Sequence, residues 1–190
     1  MSAPITLSRV TRDDATLLDR LWQFYELESS FWSGEDIDES ARFNSLSDFL
    51  ERLGDPDSFD WAYLIRHEGR LAGLLLVGHQ NLRGRSIMEF ADLYILPRYR
   101  GRGIASEVVQ QVVLDSNEPW LICVFREDRQ ALDFWRRAFE RLPFSSVREE
   151  VPSEDPDLHE FIVNDGPADV AVTGAADAVG TVGTVGARSA

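Results

Sequence analysis

Residues 88–109, MEFADLYILPRYRGRGIASEVV, read as a strand, a proline, an arginine-rich turn containing Gly101 and Gly103, and the start of a helix. Glycines in such a turn let the chain bend tightly and bring main-chain amides close to a ligand, and the positive end of the helix dipole faces the same point. The chemistry on offer is anion binding, of a phosphate above all. The dipole alone contributes about 0.3–1 kcal/mol, up to about 2 kcal/mol when partly buried, so several amides and an arginine have to act together. Arg98, Arg100 and Arg102 all fall in this turn. Two other phosphate-binding patterns are excluded, because G-x-G-x-x-G is absent and no Lys-Ser/Thr follows the glycines. Glu89 and Asp92 lie on the strand leading into the turn. Spaced three apart, they point to opposite faces of a regular strand, so only one of them faces a given cleft.

Composition narrows the remaining chemistry. The chain has 190 residues, 44% of them hydrophobic, which suits a soluble globular domain with a tail. Its 19 basic residues are all arginine. Schiff-base catalysis and lysine-bearing phosphate loops are thereby excluded. A net charge of −14 repels nucleic acid and favours cationic partners. That charge is uneven: residues 13–60 hold fourteen acidic side chains against three arginines. One cysteine, Cys123, forms no intramolecular disulfide, and His67, His79 and His159 form no pair at ligand spacing, so no metal site is expected. With no apolar run near the roughly 20 residues that span a bilayer, and no apolar signal core at the N-terminus, the expectation is a cytoplasmic protein without membrane contact.

The pattern along the chain predicts the elements that must position these groups. Residues 5–10 alternate as a strand, and Thr11 with Asp14 opens a helix that turns Leu17, Leu18, Leu21, Trp22 and Tyr25 to one side. Residues 29–45 read as a loop, followed by a short helix from Ser47 to Gly54. Strands over 59–67 and 70–80 form a hairpin about Glu68 and Gly69, and the strand over 88–96 extends it antiparallel. A helix after Gly103, a strand over 120–125, a helix over 129–141 with Leu132, Trp135, Ala138 and Phe139 inward, and a closing hairpin over 145–151 and 158–163 complete the domain. Pro97 is expected to help splay the strand before it. The fold class is α+β with a mixed central sheet. Residues 166–190, almost entirely Ala, Val, Gly, Thr and Asp, are expected to be a disordered tail beyond a domain of residues 1–165.

Arg98-x-x-Gly101-x-Gly103, after ADLYILP and before IASEVV, closely resembles the acetyl-CoA signature of the GCN5-related N-acetyltransferase (GNAT) superfamily. The resemblance covers about residues 5–163, with the elements in family order. It implies a three-layer α/β/α arrangement, a mostly antiparallel sheet with a splayed strand, and acetyl-CoA as cosubstrate. Carried over by position, Tyr94, Ile95 and Leu96 lie on the splayed strand whose backbone pairs with the pantetheine arm. Arg100, Gly101, Arg102, Gly103, Ile104, Ala105 and Ser106 surround the pyrophosphate, with Arg98 at the Gln/Arg position of the signature. The later family element Asn-x-x-Ala-x-x-Phe-Tyr is here Asp128 to Trp135. Asp128 still accepts a hydrogen bond but brings negative charge to the cofactor. Trp135 replaces the tyrosine that often protonates the departing thiolate, and an indole N–H has no accessible acidity.

The activity so implied is acetyl transfer to a primary amine by direct attack, the acceptor being a small cationic molecule such as a polyamine or an aminoglycoside-like compound. Two alternatives stand beside it: a peptide or protein N-acetyltransferase, and a non-catalytic acyl-CoA-binding module. The second is motivated by Asp128, Trp135 and Ala91, the last standing at a place where related polyamine enzymes have glutamate. An alkylammonium of pKa about 10.4 must lose a proton before it attacks, at a cost of about 4.6 kcal/mol at pH 7. A carboxylate, or a water held by one, has to receive that proton, Asp92 ahead of Glu89. Glu26, Glu28, Glu35, Asp36 and Asp38 around Phe31 and Trp32 suit capture of the ammonium by charge and cation–π contact. Cys123 reads as core. The oligomeric state, a homodimer included, is left open.

Overall fold

Alternating apolar residues on either side of Glu68 and Gly69 form a hairpin, β2 (Trp61–His67) and β3 (Arg70–Leu82), whose two turn residues take positive φ of 52° and 74°. Such a turn matches the twist of the strands it joins. The computed structural model describes residues 4–53, 55, 58, 60–116, 118–152 and 155–166. Apart from Gly166, the tail expected over 166–190 lies outside them, as do Gly54 and Phe59. The other strands are β1 (Ile5–Arg9), β4 (Arg85–Ile95), β5 (Trp120–Phe125), β6 (Val147–Glu150) and β7 (Leu158–Val163). They form one sheet in the order β1-β2-β3-β4-β5-β7-β6, antiparallel throughout except where β4 meets β5.

Helices cover both faces, giving the expected α/β/α layers. On one face α1 (Ala15–Ser33) and α2 (Ser47–Arg52) set Leu18, Leu21, Trp22 and Phe49 against Leu64, Leu74, Leu76 and Tyr94. On the other, α3 (Ile104–Val109) and α4 (Arg129–Arg141) set Val108, Val109, Leu132 and Trp135 against Leu75, Val77, Phe90 and Ile122. Each buried leucine or valine contributes about 1.5–3 kcal/mol, so the sheet is fixed from both sides.

The loop expected over residues 29–45 begins later than its polar residues suggest, because α1 runs on to Ser33. The Ser29 and Ser30 hydroxyls donate back to the carbonyls of Glu26 (3.1 Å) and Leu27 (2.8 Å), which satisfies them within the helix. Gly34, at φ 74°, ends the helix in the left-handed conformation. α3 also departs from regularity, continuing as one wide turn, Gln110–Leu114, closed by the Asp115 N–H on the Gln110 carbonyl.

The departure that matters most lies in β4. Leu76 pairs with Asp92 and Val77 with Phe90, so Ala91 is an extra residue opposite no partner on β3. This β-bulge resets the alternation of side chains along β4. The opposite-face expectation for Glu89 and Asp92 is therefore overturned. Gly78 and Leu76, their partners across the ladder, lie on one side of β3, and both carboxylates face the side covered by α1.

Behind β4, Gly73 pairs with Ile95, and a Cβ on Gly73 would stand 2.0 Å from the Tyr94 carbonyl oxygen. Because the obstacle is backbone, no rotamer change relieves it. Gly73→Ala is expected to destabilise the protein by about 2–4 kcal/mol, measured as a fall in the urea midpoint at constant slope.

Candidate active site

β4 and β5 are paired only through Met88 with Trp120 and Glu89 with Leu121. Beyond those residues the strands diverge, opening a cleft of about 910 Å³. Divergence begins beside the Ala91 bulge, well before Pro97, which opens the short turn Pro97–Tyr99 instead of splaying the strand. The Leu96 N–H is bound to the Ala72 carbonyl (2.8 Å), so the main-chain groups of Leu96 and Tyr94 face β3. By the two-residue period of a strand, those of Leu93 and Ile95 face the gap. Counting positions along the sequence misses Leu93, and only the alternation of the ladder identifies it.

At the far end of β4 the turn makes the expected cradle. Gly101 and Gly103 adopt φ of 70° and 80°, which a side chain would strain. The first helical bond of α3 runs from the Glu107 N–H to the Gly103 carbonyl (3.0 Å), leaving the amides of Ile104, Ala105 and Ser106 with no acceptor in their own helix. Arg100 lies along the cleft: its Nε donates to the Ile95 carbonyl (2.7 Å), its Nη2 pairs with Glu28 (2.7 Å), and its guanidinium sits over the Tyr94 ring at 5.4 Å. Tyr94 also donates to Glu28 (2.8 Å). Glu28, expected to meet an ammonium, is thus engaged with Arg100 and Tyr94. Leu96, Arg98 and Arg102 do not line the cleft: Leu96 packs toward the α1 side, Arg98 is exposed, and Arg102 lies over Tyr99 at 5.9 Å.

Asp128 and Trp135 line the opposite wall on α4. The Asp128 carboxylate accepts the Ala131 N–H (2.9 Å), an N-cap worth about 1 kcal/mol to the helix. Trp135 is buried edge-on to Phe90 (5.3 Å) and Phe134 (5.2 Å) and stacks on Phe139 (5.7 Å). It is a core aromatic that also borders the cleft.

Asp92 stands where this cleft meets a second cavity of about 540 Å³. It is only 6% exposed, and its Oδ2 has no hydrogen-bond partner. Burial pushes its pKa up to about 7, a hydrogen bond from Tyr25 holds it down in part, and the neighbouring charges of Glu89 and Glu26 add to the rise. Glu89 is raised by burial as well, but it accepts the Gln80 amide (2.8 Å) and the Cys123 thiol. Burial also pushes the Cys123 thiol up, so it stays protonated beside Glu89. In the sequence, Tyr25 signals only a core-facing helix position.

Of the other residues expected to capture an ammonium, Glu26 and Trp32 line the second cavity, and Phe31 is 89% exposed at the rim of the cleft. Glu35 lines the second cavity while accepting the Asn44 amide (2.9 Å), whereas Asp36 and Asp38 are engaged in their own turn. Trp32 packs on Phe125 at 4.7 Å, bridging the end of α1 to the end of β5. Glu127, Asp155 and Asp157, which carry no sequence signal of a site, also line the second cavity, from beyond the end of β5 and from the loop between β6 and β7. Among the described residues, no cluster of His, Cys, Asp and Glu is placed to hold a metal ion, and no helix is long and apolar enough to cross a membrane.

A sequence model of the acetyltransferase (GNAT) family matches residues 21–140. No curated protein matches the chain. Among solved structures the chain is similar to an acetyltransferase from Thermus thermophilus, 17% identical, with a TM-score of 0.61 over 85% of this chain and 98% of that one. It is also similar to an aminoglycoside acetyltransferase from an uncultured soil metagenomic sample in complex with sisomicin, 14% identical, TM-score 0.53, covering 79% and 97% of the two chains. A third is a spermidine/spermine N-acetyltransferase from Vibrio cholerae, 15% identical, TM-score 0.50, covering 84% and 91%. At these identities the likeness is one of fold.

A carboxyl whose pKa rises on folding costs stability when ionised. For Asp92 that cost sets in as pH rises above the unfolded value of 3.8 and is complete above about 7. Asp92→Asn removes it, and is expected to raise the melting temperature at alkaline pH by an amount worth up to about 4 kcal/mol, with the gain vanishing at pH below about 4. Thermal scans of both proteins across that range check the sign.

Proposed function

The chain belongs to the acetyltransferase (GNAT) family, and from that premise we propose that it transfers an acetyl group from acetyl-CoA to the primary amine of a small cationic molecule, with Asp92 receiving the amine proton. The observation that carries this reading is the place of Asp92: a buried carboxylate with an unpartnered oxygen where the splayed-strand cleft meets an acidic cavity. The cavity volume of about 540 Å³ suits a small molecule.

The cleft fits a CoA thioester on its own features. The helix-start amides of Ile104, Ala105 and Ser106, with the left-handed turn at Gly101 and Gly103, would hold the pyrophosphate. Leu93 main-chain groups on the splayed strand would pair with the pantetheine amides, facing the wall that Asp128 and Trp135 line. When bound, the thioester supplies an activated acyl carbon, and the rest falls to the chain.

Proton transfer from an alkylammonium of pKa about 10.4 to a group near 7 is uphill by about 5 kcal/mol, against about 9 kcal/mol to an ordinary aspartate. Desolvation of Asp92 thus halves the obstacle while leaving it ionised over much of the neutral range. Tyr25 orients the carboxylate through its hydrogen bond, and the charge of Glu89 keeps the pKa high. Glu89 itself is engaged by Gln80 and Cys123, which supports Asp92 over Glu89 as the proton acceptor. Trp135 takes no part in proton transfer, since its indole is packed among Phe90, Phe134 and Phe139.

Thiol release from acetyl-CoA should exceed the no-amine blank with small cationic amines more than with short peptides, and kcat/KM should rise with pH to a midpoint near 7. Asp92→Asn is expected to lower kcat by about 10²–10⁴ and abolish that rising limb, while Trp135→Phe changes kcat by no more than a few-fold. CoA binding without thiol release for any amine would overturn the reading.

A further inference from the structure

The wall that α4 gives to the cleft carries charge the acyl-transfer chemistry does not use. Gln130, Phe134, Arg137 and Arg141, spaced four, three and four apart, all line the cleft, so one face of the helix runs along it as a stripe. Arg137 and Arg141 stand one turn apart toward the end of α4 remote from the Asp128 cap. Neither has an ion-pair partner among the described residues. Two like charges at this spacing repel each other within the helix. Arg136, by contrast, is exposed and does not line the cleft, as a solvated helix face requires. In a chain of net charge −14, two cations kept at a cleft with no carboxylate beside them mark a place for an anion from outside.

The same cleft holds the amides of Ile104, Ala105 and Ser106, which suit a pyrophosphate, and Arg100 is already engaged with Glu28 and the Ile95 carbonyl. A CoA thioester carries one phosphate more, a monoester on the ribose 3′ oxygen, a single sugar away from the pyrophosphate. We infer that Arg137 and Arg141 hold this 3′-phosphate, so that the chain selects CoA over its 3′-dephosphorylated form. This rests on the reading of the cleft as a CoA site and adds to it a second anion subsite, built on a different helix from the first. A phosphate monoester carries about −1.5 to −2 charge at pH 7 and three acceptor oxygens, which the planar fork of a guanidinium meets in pairs. The group takes no part in bond making at the thioester, so its contacts are equal before and during reaction. They act on affinity for the donor and leave kcat unchanged.

Calorimetric titration with CoA and with dephospho-CoA, which differ only in that phosphate, tests the inference on the wild type, Arg137→Gln/Arg141→Gln and Arg136→Gln. The expected result is that CoA binds about tenfold or more tightly than dephospho-CoA to the wild type and to Arg136→Gln, by a ratio that shrinks with added salt. In the double variant the ratio falls to near one while dephospho-CoA binds as before, which also shows that the variant is folded. Equal binding of the two compounds by the wild type overturns the inference. So does an equal fall for both in the double variant, or a ratio as narrow in Arg136→Gln as in the double variant, either of which makes the arginines a diffuse field.

Thiol release from acetyl-CoA and from acetyl-dephospho-CoA separates this inference from the transfer reading. If neither releases thiol for any amine while CoA keeps its binding advantage, the phosphate subsite stands and the transfer reading fails. If both donors serve equally well below saturation, the transfer reading stands and the phosphate subsite fails.

Discussion

One extra residue in β4 sets up most of what this molecule can do. A regular strand would remain paired with β5 along its length and would send Glu89 and Asp92 to opposite layers. The bulge at Ala91 bends the strand away and brings both carboxylates under α1. The opening of the sheet and the clustering of its acids therefore have a single backbone cause. The arrangement holds because both faces are fixed by helices, and because Gly73 lets β3 approach the Tyr94 carbonyl where any side chain would push it off.

Electrostatics then follow from that geometry. Asp92 has neither an arginine nor a full set of hydrogen bonds, so its ionised form is costly in the fold, and that cost keeps its proton affinity high. Arg100, by contrast, is fully occupied with Glu28, the Ile95 carbonyl and the Tyr94 ring. Asp92 and Arg100 are held in opposite ways, the carboxylate by a Tyr25 hydrogen bond with no counter-charge and the guanidinium by several partners at once. Glu28 ties α1 to Arg100 and Tyr94 beside the glycine turn, while Glu26 and Trp32, on the same helix, line the second cavity.

Much of this was legible in the sequence. The strand and helix order, the glycine turn and the amide-rich start of α3 are local features, written in periodicity and in residue types that tolerate positive φ. The acids on β4 were legible as candidates but not as neighbours, because a bulge has no composition of its own and inverts every downstream side-chain direction. The extension of α1 through two serines was hidden for a similar reason, since their hydroxyls favour a helix only once they bond back to it. Glu28 reads as surface charge until the fold places it against Arg100. Glu127, Asp155 and Asp157 were invisible because nothing local ties a loop between the last two strands to a helix near the start of the chain.

That loop stands between β7 and β6, and β6 is an edge strand. It lines the second cavity without belonging to the glycine turn or to the bulge that opens the cleft. It is tied to the end of β5 by the Arg126 N–H on the Asp157 carbonyl (2.8 Å) and by Arg126 Nε on the Pro156 carbonyl (2.8 Å). A wall assembled from an edge loop and the end of a central strand can change its lining residues without a change in the glycine turn or in the β4 bulge.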